Sequence, residues 1–156
     1  RPGPIPSESS VHGRSARARK AKADSSAKSG YEARLENARQ LLLQGKHAAA
    51  RDKLERMTER SVPPSARVEA LVLTAESYTA QGQVPRAAAA YRQAVEAAPG
   101  EPAGHNALFA LARLLDRYTQ DDDSAAAAYR EYLAKAPRGA LARQARDALC
   151  RLTSCQ

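Results

Sequence analysis

The strongest constraint on how this chain can fold is that it repeats itself. Alanines recur at Ala38, Ala75 and Ala112, with steps of 37 and 37 residues, and at Ala50, Ala87 and Ala125, with steps of 37 and 38. Large side chains keep the same register: Leu41, Tyr78 and Leu115; Leu54, Tyr91 and Tyr129; Met57, then Ala94, then Tyr132. Gly45 and Gly82 fall at matching points, with Thr119 in the third unit, and Val62, Pro99 and Pro137 close the units. A period of this length marks a supersecondary unit that buries its apolar face by stacking on the next copy.

Each unit reads as two helices joined by a short turn. The first helices are predicted over about 31–44, 66–81 and 103–118, the second over about 47–60, 84–97 and 124–135. Alanine at a helix crossing lets two backbones approach, and a large residue one turn away fills the volume left over. Gly45 and Gly82 permit the positive φ that ends a helix before a tight turn. Pro99 and Pro137 end the second helices, because proline cannot continue a helix interior. Pro102 suits a first helical turn, and Asp122 or Asp123 is expected to cap the helix that begins near Ser124. A last stretch, 140–152, puts Leu141, Ala145, Ala148, Leu149 and Leu152 on one face, the pattern of a helix that caps a stack. Composition agrees: Ala and Leu supply much of the 43% hydrophobic content, aromatics are 4%, and Trp is absent. Such a chain favours closely packed helices over a sandwich or barrel.

The net charge of +8 is unevenly placed. Residues 1–30 carry seven Lys and Arg, among them Arg14, Arg17, Arg19, Lys20 and Lys22, against Glu8 and Asp24 alone. The remaining 126 residues carry 18 basic and 15 acidic groups, so the repeats themselves are nearly balanced. Segment 1–30 is rich in Pro, Ser and Gly, with Ile5 and Val11 its only large aliphatics. It lacks the apolar surface that offsets ordering entropy, and the expectation is a disordered linker. Its basic run is either a solubilising spacer or an arm for an acidic partner, anionic lipid or nucleic acid. No apolar run approaches the length of a membrane span. The chain starts at Arg1 rather than Met, which reads as a piece of a larger or processed protein.

The unit from Leu71 to Pro99 resembles a tetratricopeptide repeat. Leu71, Ala75, Tyr78, Gly82, Ala87, Tyr91, Ala94 and Pro99 stand where that motif has large, small, aromatic, glycine, small, aromatic, small and proline. The third unit matches through Leu108, Ala112, Leu115, Ala125, Tyr129 and Pro137, with a one-residue longer acidic turn at Asp121 to Asp123. The first unit fits at Ala38, Leu41, Gly45, Ala50 and Leu54, but has Arg34 for an apolar residue and Val62-Pro63 at its end. The resemblance implies an all-α, right-handed solenoid of three helix pairs, about 31–62, 66–99 and 103–137, with the capping helix completing a domain at 31–153. It is similar, more loosely, to repeat modules of bacterial envelope proteins: the Tol-Pal-associated coordinator and the C-terminal repeats of membrane-anchored regulators.

In that family the first helix of each unit lines a concave groove. Carried over, the inner positions are Leu35, Arg39 and Leu42; Glu69, Val72, Leu73, Glu76 and Thr79; and Asn106, Phe109, Arg113, Asp116 and Arg117. Arg39, Glu76 and Arg113 share one repeat position and are expected side by side. Either Arg39, Arg113 and Arg117 grip a partner's carboxylates, or Arg39, Glu76 and Arg113 close an internal ladder of ion pairs. Phe109, the only Phe, is either an anchor for a ligand or plain packing. The family's carboxylate clamp is not matched, since its positions hold Leu35, Arg39 and Leu73.

No catalytic constellation is visible, and no phosphate-cradling glycine loop. His12, His47 and His105 are scattered, and the acidic run lacks the spaced ligands of a calcium loop, so neither a metal nor another cofactor is expected. Cys150 and Cys155 would form a disulfide in an oxidising compartment and remain two thiols in a reducing one. The resulting expectation is a non-enzymatic module that binds a peptide or helix of another protein. Its setting is expected to be the bacterial cell envelope, on the periplasmic side, with the cytoplasm as the alternative. The alternatives in function are self-association as a scaffold, or tethering to membrane or nucleic acid through the basic tail.

Overall fold

The computed structural model describes residues 9–154, with side chains from Ser15 onward. Among these residues there are seven α-helices and no strand: α1 (Ser9–Leu43), α2 (His47–Glu55), α3 (Pro64–Ala80), α4 (Val84–Ala97), α5 (Pro102–Tyr118), α6 (Asp122–Lys135) and α7 (Ala142–Leu152). The chain divides into two compact units, Arg1–Ala33 and Arg34–Gln156.

The second unit is an α-solenoid. Each helix from α2 to α7 packs on the next in sequence, and α3 also packs against α5, the first helix of the following pair. The two alanine series lie at the contacts: Ala38, Ala75, Ala112, Ala50, Ala87 and Ala125 are each 0% exposed. The large residues in register with them close the space, with Leu54, Met57, Tyr129 and Tyr132 buried and Leu41, Tyr78 and Leu115 half-buried. Phe109 meets Tyr129 and Tyr132 edge-on, at centroid distances of 5.7 and 5.5 Å.

The turns follow from local chemistry. Gly45 (φ 73°) and Gly82 (φ 69°) both take the left-handed conformation. At the second, Gly82 N–H donates to the Thr79 carbonyl at 3.0 Å and Gln83 N–H to the Tyr78 carbonyl at 2.9 Å. The first repeats this with Gly45 to Leu42 and Lys46 to Leu41, both 2.9 Å. This double bond satisfies carbonyls that a helix end otherwise leaves open. The third unit has Thr119 instead, whose extended backbone leads into the acidic turn. There Asp121, rather than Asp122 or Asp123, is the cap: its carboxylate accepts from Ser124 N–H at 2.9 Å and from the Ser124 hydroxyl at 2.5 Å. Asp122 and Asp123 instead occupy the first turn of α6, where negative charge faces the positive helix end.

Two boundaries differ from expectation. α2 ends at Glu55 instead of near residue 60. Met57 and Val62 turn inward, 0% and 5% exposed, and a run of turns between them brings the chain to Pro63 and Pro64. The larger difference is in the first unit, where α1 is helical from Ser9 in place of the expected coil. Residues 1–8 of the expected linker lie outside the described residues. Ala16, Ala18, Ala21, Ala23 and Ala27 alternate there with Arg and Lys, all strong helix formers, and no proline occurs between residues 7 and 62. Burial is nonetheless missing there, as the composition implies: every residue from 15 to 30 is exposed.

Candidate functional site

The first helices of the second unit line two hollows on either side of α3. One, about 550 Å³, has a floor of Leu42, Leu73, Val72 and Ala80 and a rim of Arg39, Glu69 and Glu76. Leu43 stands 81% exposed at its edge, and His47 and Ser77 close one end. Ser77, buried, is satisfied by Arg51 at 2.6 Å and by the His47 carbonyl at 3.4 Å, while the buried His47 Nδ1 has no hydrogen-bond partner among the described residues. The other hollow, about 640 Å³, is bounded by Glu76 and Thr79 from α3, by Arg113, Asp116 and Arg117 from α5, and by Gln144 and Arg151 from α7. Tyr91, Phe109 and Tyr129 form its floor. Glu76 borders both.

The charges in these hollows pair differently from the expected ladder. Arg39 forms ion pairs with Glu36, at 3.2 Å, and with Glu69, not with Glu76. Asp116 accepts from Arg151 at 2.6 Å and from the Tyr129 hydroxyl at 3.3 Å. Among the described residues, Arg113, Arg117 and Glu76 form no ion pair and no side-chain hydrogen bond; Arg117 lies over the Tyr118 ring at 5.7 Å. The Arg–Glu–Arg ladder does not form: Arg39 turns to Glu36 and Glu69, and Glu76 and Arg113 are left without an ionic partner among the described residues. Two guanidinium groups therefore face the larger hollow with their hydrogen-bonding capacity unspent.

The hollow shapes the titration of its walls. Desolvation against the wall lifts the Glu76 carboxyl above the usual carboxylate range, with Arg39 partly opposing it. Burial pushes the Tyr91 phenol up to about 12, helped by Glu76 and opposed by Arg113. Burial pushes Tyr129 up to about 12 as well, with the Asp116 charge and hydrogen bond adding to it. Both phenols stay neutral at ordinary pH, so the larger hollow presents neutral rings beside cations.

Of the positions carried over from the family motif, Leu42, Val72, Leu73, Arg39, Glu69 and Glu76 meet in the smaller hollow, and Glu76, Thr79, Phe109, Arg113, Asp116 and Arg117 in the larger. Leu35 is 3% exposed and belongs to the core, and Asn106 is exposed but lines neither hollow. Phe109 is 4% exposed, wedged between two tyrosines, so it supports the floor as packing. Sequence reasoning missed Arg151 and Gln144. The signal was there: Arg39, Glu76, Arg113 and Arg151 continue one series at steps of 37, 37 and 38, as do Asn106 and Gln144 at 38. Tyr91 and Tyr129, read only as core, reach through from the second helices. Cys155, and with it the expected Cys150–Cys155 pairing, lies outside the described residues; Cys150 is half-buried on α7.

Among the described residues no cluster of His, Cys, Asp or Glu could hold a metal ion, and no helix is long and apolar enough to cross a membrane. Stacked helix pairs whose first helices open onto a charged hollow define a helical-repeat interaction module. The tetratricopeptide repeat model matches residues 35–102 and again residues 72–140, and the chain belongs to that family. Its repeats generally mediate protein–protein interactions and are typically non-catalytic. No curated protein matches the chain.

Proposed function

We propose that the groove formed by the two hollows receives an acidic segment of a partner protein. The observation that carries this reading is the pair Arg113 and Arg117, cations without ionic partners among the described residues, beside a floor of neutral aromatic rings. A carboxylate arriving there gains charge-assisted hydrogen bonds that the resting protein does not already make. Arg151 is bound to Asp116 and serves to hold α7 against the groove. The test is capture from lysate with immobilised wild type and with R113E/R117E, the latter checked for native helix content. Partners retained by wild type and lost on charge reversal support the reading, and retention of the same partners by both proteins contradicts it.

A second reading has its own observation. Arg17, Arg19, Lys20, Lys22 and Lys28 all lie in the exposed first unit, which suits a tether to an acidic surface. Salt-sensitive binding to anionic vesicles or duplex DNA that disappears on deleting residues 1–30 is the expected result, and binding unaffected by the deletion contradicts it. We further place the protein in the bacterial cell envelope, where oxidation joins Cys150 to Cys155; a native mass that rises on reduction is expected there.

A further inference from the structure

Among the described residues Leu43 is the most exposed large hydrophobic side chain, at 81%. It ends α1 and opens a turn, Leu43 to Lys46, whose four residues are all exposed. The repeat does not demand a leucine there. At steps of 37 residues the same position holds Ala80 in the second unit and Arg117 in the third. The second unit makes the same glycine turn with Ala80 in that place, so neither the turn nor the packing accounts for Leu43.

Beside Leu43 opens the smaller hollow, with its aliphatic floor of Leu42, Val72, Leu73 and Ala80. Leu43 borders this hollow but, so exposed, does not fill it. Two charges at the place are unspent. Lys46 on the turn and Glu76 on the rim form no ion pair and no side-chain hydrogen bond among the described residues, while Arg39 is engaged by Glu36 and Glu69. One surface therefore carries a leucine knob next to a free cation, and an aliphatic hole next to a free carboxylate. Such a surface is complementary to itself. Two copies related by a two-fold axis meet so that the knob of each faces the hole of the other.

We propose that the smaller hollow is filled by a second copy of this chain: the Leu43 of each copy enters the hollow of the other, and the Lys46 of each pairs with the Glu76 of the other. A contact centred on one leucine per copy falls short of a standard interface of about 800 Å² per partner, so the dimer is weak and forms at high concentration. This goes beyond the acidic-segment reading and stands apart from it, since Arg113 and Arg117 line the larger hollow and not the smaller.

Analytical ultracentrifugation of the full chain from about 5 to about 500 μM tests this by mass action. The average mass should rise from one chain toward two and level there. Leu43→Ser removes both knobs and should weaken the dimer about a hundredfold or more, roughly tenfold per leucine. Its thermal melt by circular dichroism should match wild type, because the single chain leaves that side chain in water. Lys46→Glu and Glu76→Lys should each weaken the dimer, and the two together should restore it. A wild type that stays single at every concentration overturns the proposal, as does a dimer that survives Leu43→Ser. Charge reversals that do not rescue each other, or a mass that climbs past two chains, overturn it as well.

Discussion

Gly104→Ala is the substitution whose sign depends most on the packing described above. Gly104 is buried in the first turn of α5, and alanine in a helix is ordinarily favoured over glycine by up to about 1 kcal/mol. Here a Cβ would press on the carbonyl of Ala98, with the Ala98 carbonyl carbon only 2.8 Å away and its oxygen nearer still. That oxygen is not free to move, because it accepts from Glu101 N–H at 3.2 Å and holds the turn between α4 and α5. Forcing atoms into a packed site costs about 1–3 kcal/mol, and more when the obstacle is backbone. The packing penalty outweighs the propensity gain, for a net loss of roughly 1–2 kcal/mol. For a domain of this length that is a fall in melting temperature of roughly 3–10 °C. Gly100, in the same turn, would meet nothing within 4 Å, so Gly100→Ala is the control and should be neutral or slightly stabilising. Thermal unfolding followed by far-ultraviolet circular dichroism measures both. A Gly104→Ala protein as stable as wild type would refute the close approach of α4 to α5.

Tyr132 links the last repeat to the cap: it is 1% exposed, meets Phe109 edge-on, and its hydroxyl accepts from Leu141 N–H at 3.3 Å. Tyr132→Ala should cost about 3–5 kcal/mol and Tyr132→Phe about 0.5–1.5 kcal/mol in denaturant unfolding, with hydrogen-exchange protection in α7 falling first. Asp121 gives a pH dependence with a definite sign. Its hydrogen bonds with Ser124 hold the carboxyl below its ordinary value, so the cap stabilises α6 above the unfolded carboxyl pKa and is lost as pH falls through the folded one. Asp121→Asn keeps a capping acceptor without the charge, and the stability difference between it and wild type should shrink as the solution is acidified.

How much of this was legible in the sequence depends on what each residue's place was decided by. The alanine series was legible because only a small side chain fits where two helix backbones cross, and all six members proved fully buried. Gly45 and Gly82 were legible because a left-handed turn leaves few other choices. In the first unit composition speaks to burial, which is missing from 15 to 30, whereas the helix itself follows the local propensity of its Ala, Arg and Lys residues. Charge partners were illegible for a different reason. Arg39 reaches Glu69 rather than its counterpart Glu76, a choice set by side-chain reach and not by register. Gly104 gave no signal, since close approach by the preceding turn is a tertiary fact. The same holds for Tyr91 and Tyr129, whose burial was foreseen but whose ring faces open into the larger hollow.

The proposed binding of acidic segments is located where α3, α5 and α7 meet. Backbone chemical-shift mapping of the labelled protein, titrated with an acidic peptide selected on it, locates that contact directly. Binding there is expected to shift Glu76, Arg113, Arg117 and their neighbours, saturating with peptide and suppressed by salt. Shifts confined to the hollow of Arg51, Tyr78 and Arg86 between α2 and α4, or to the basic first unit, would contradict it.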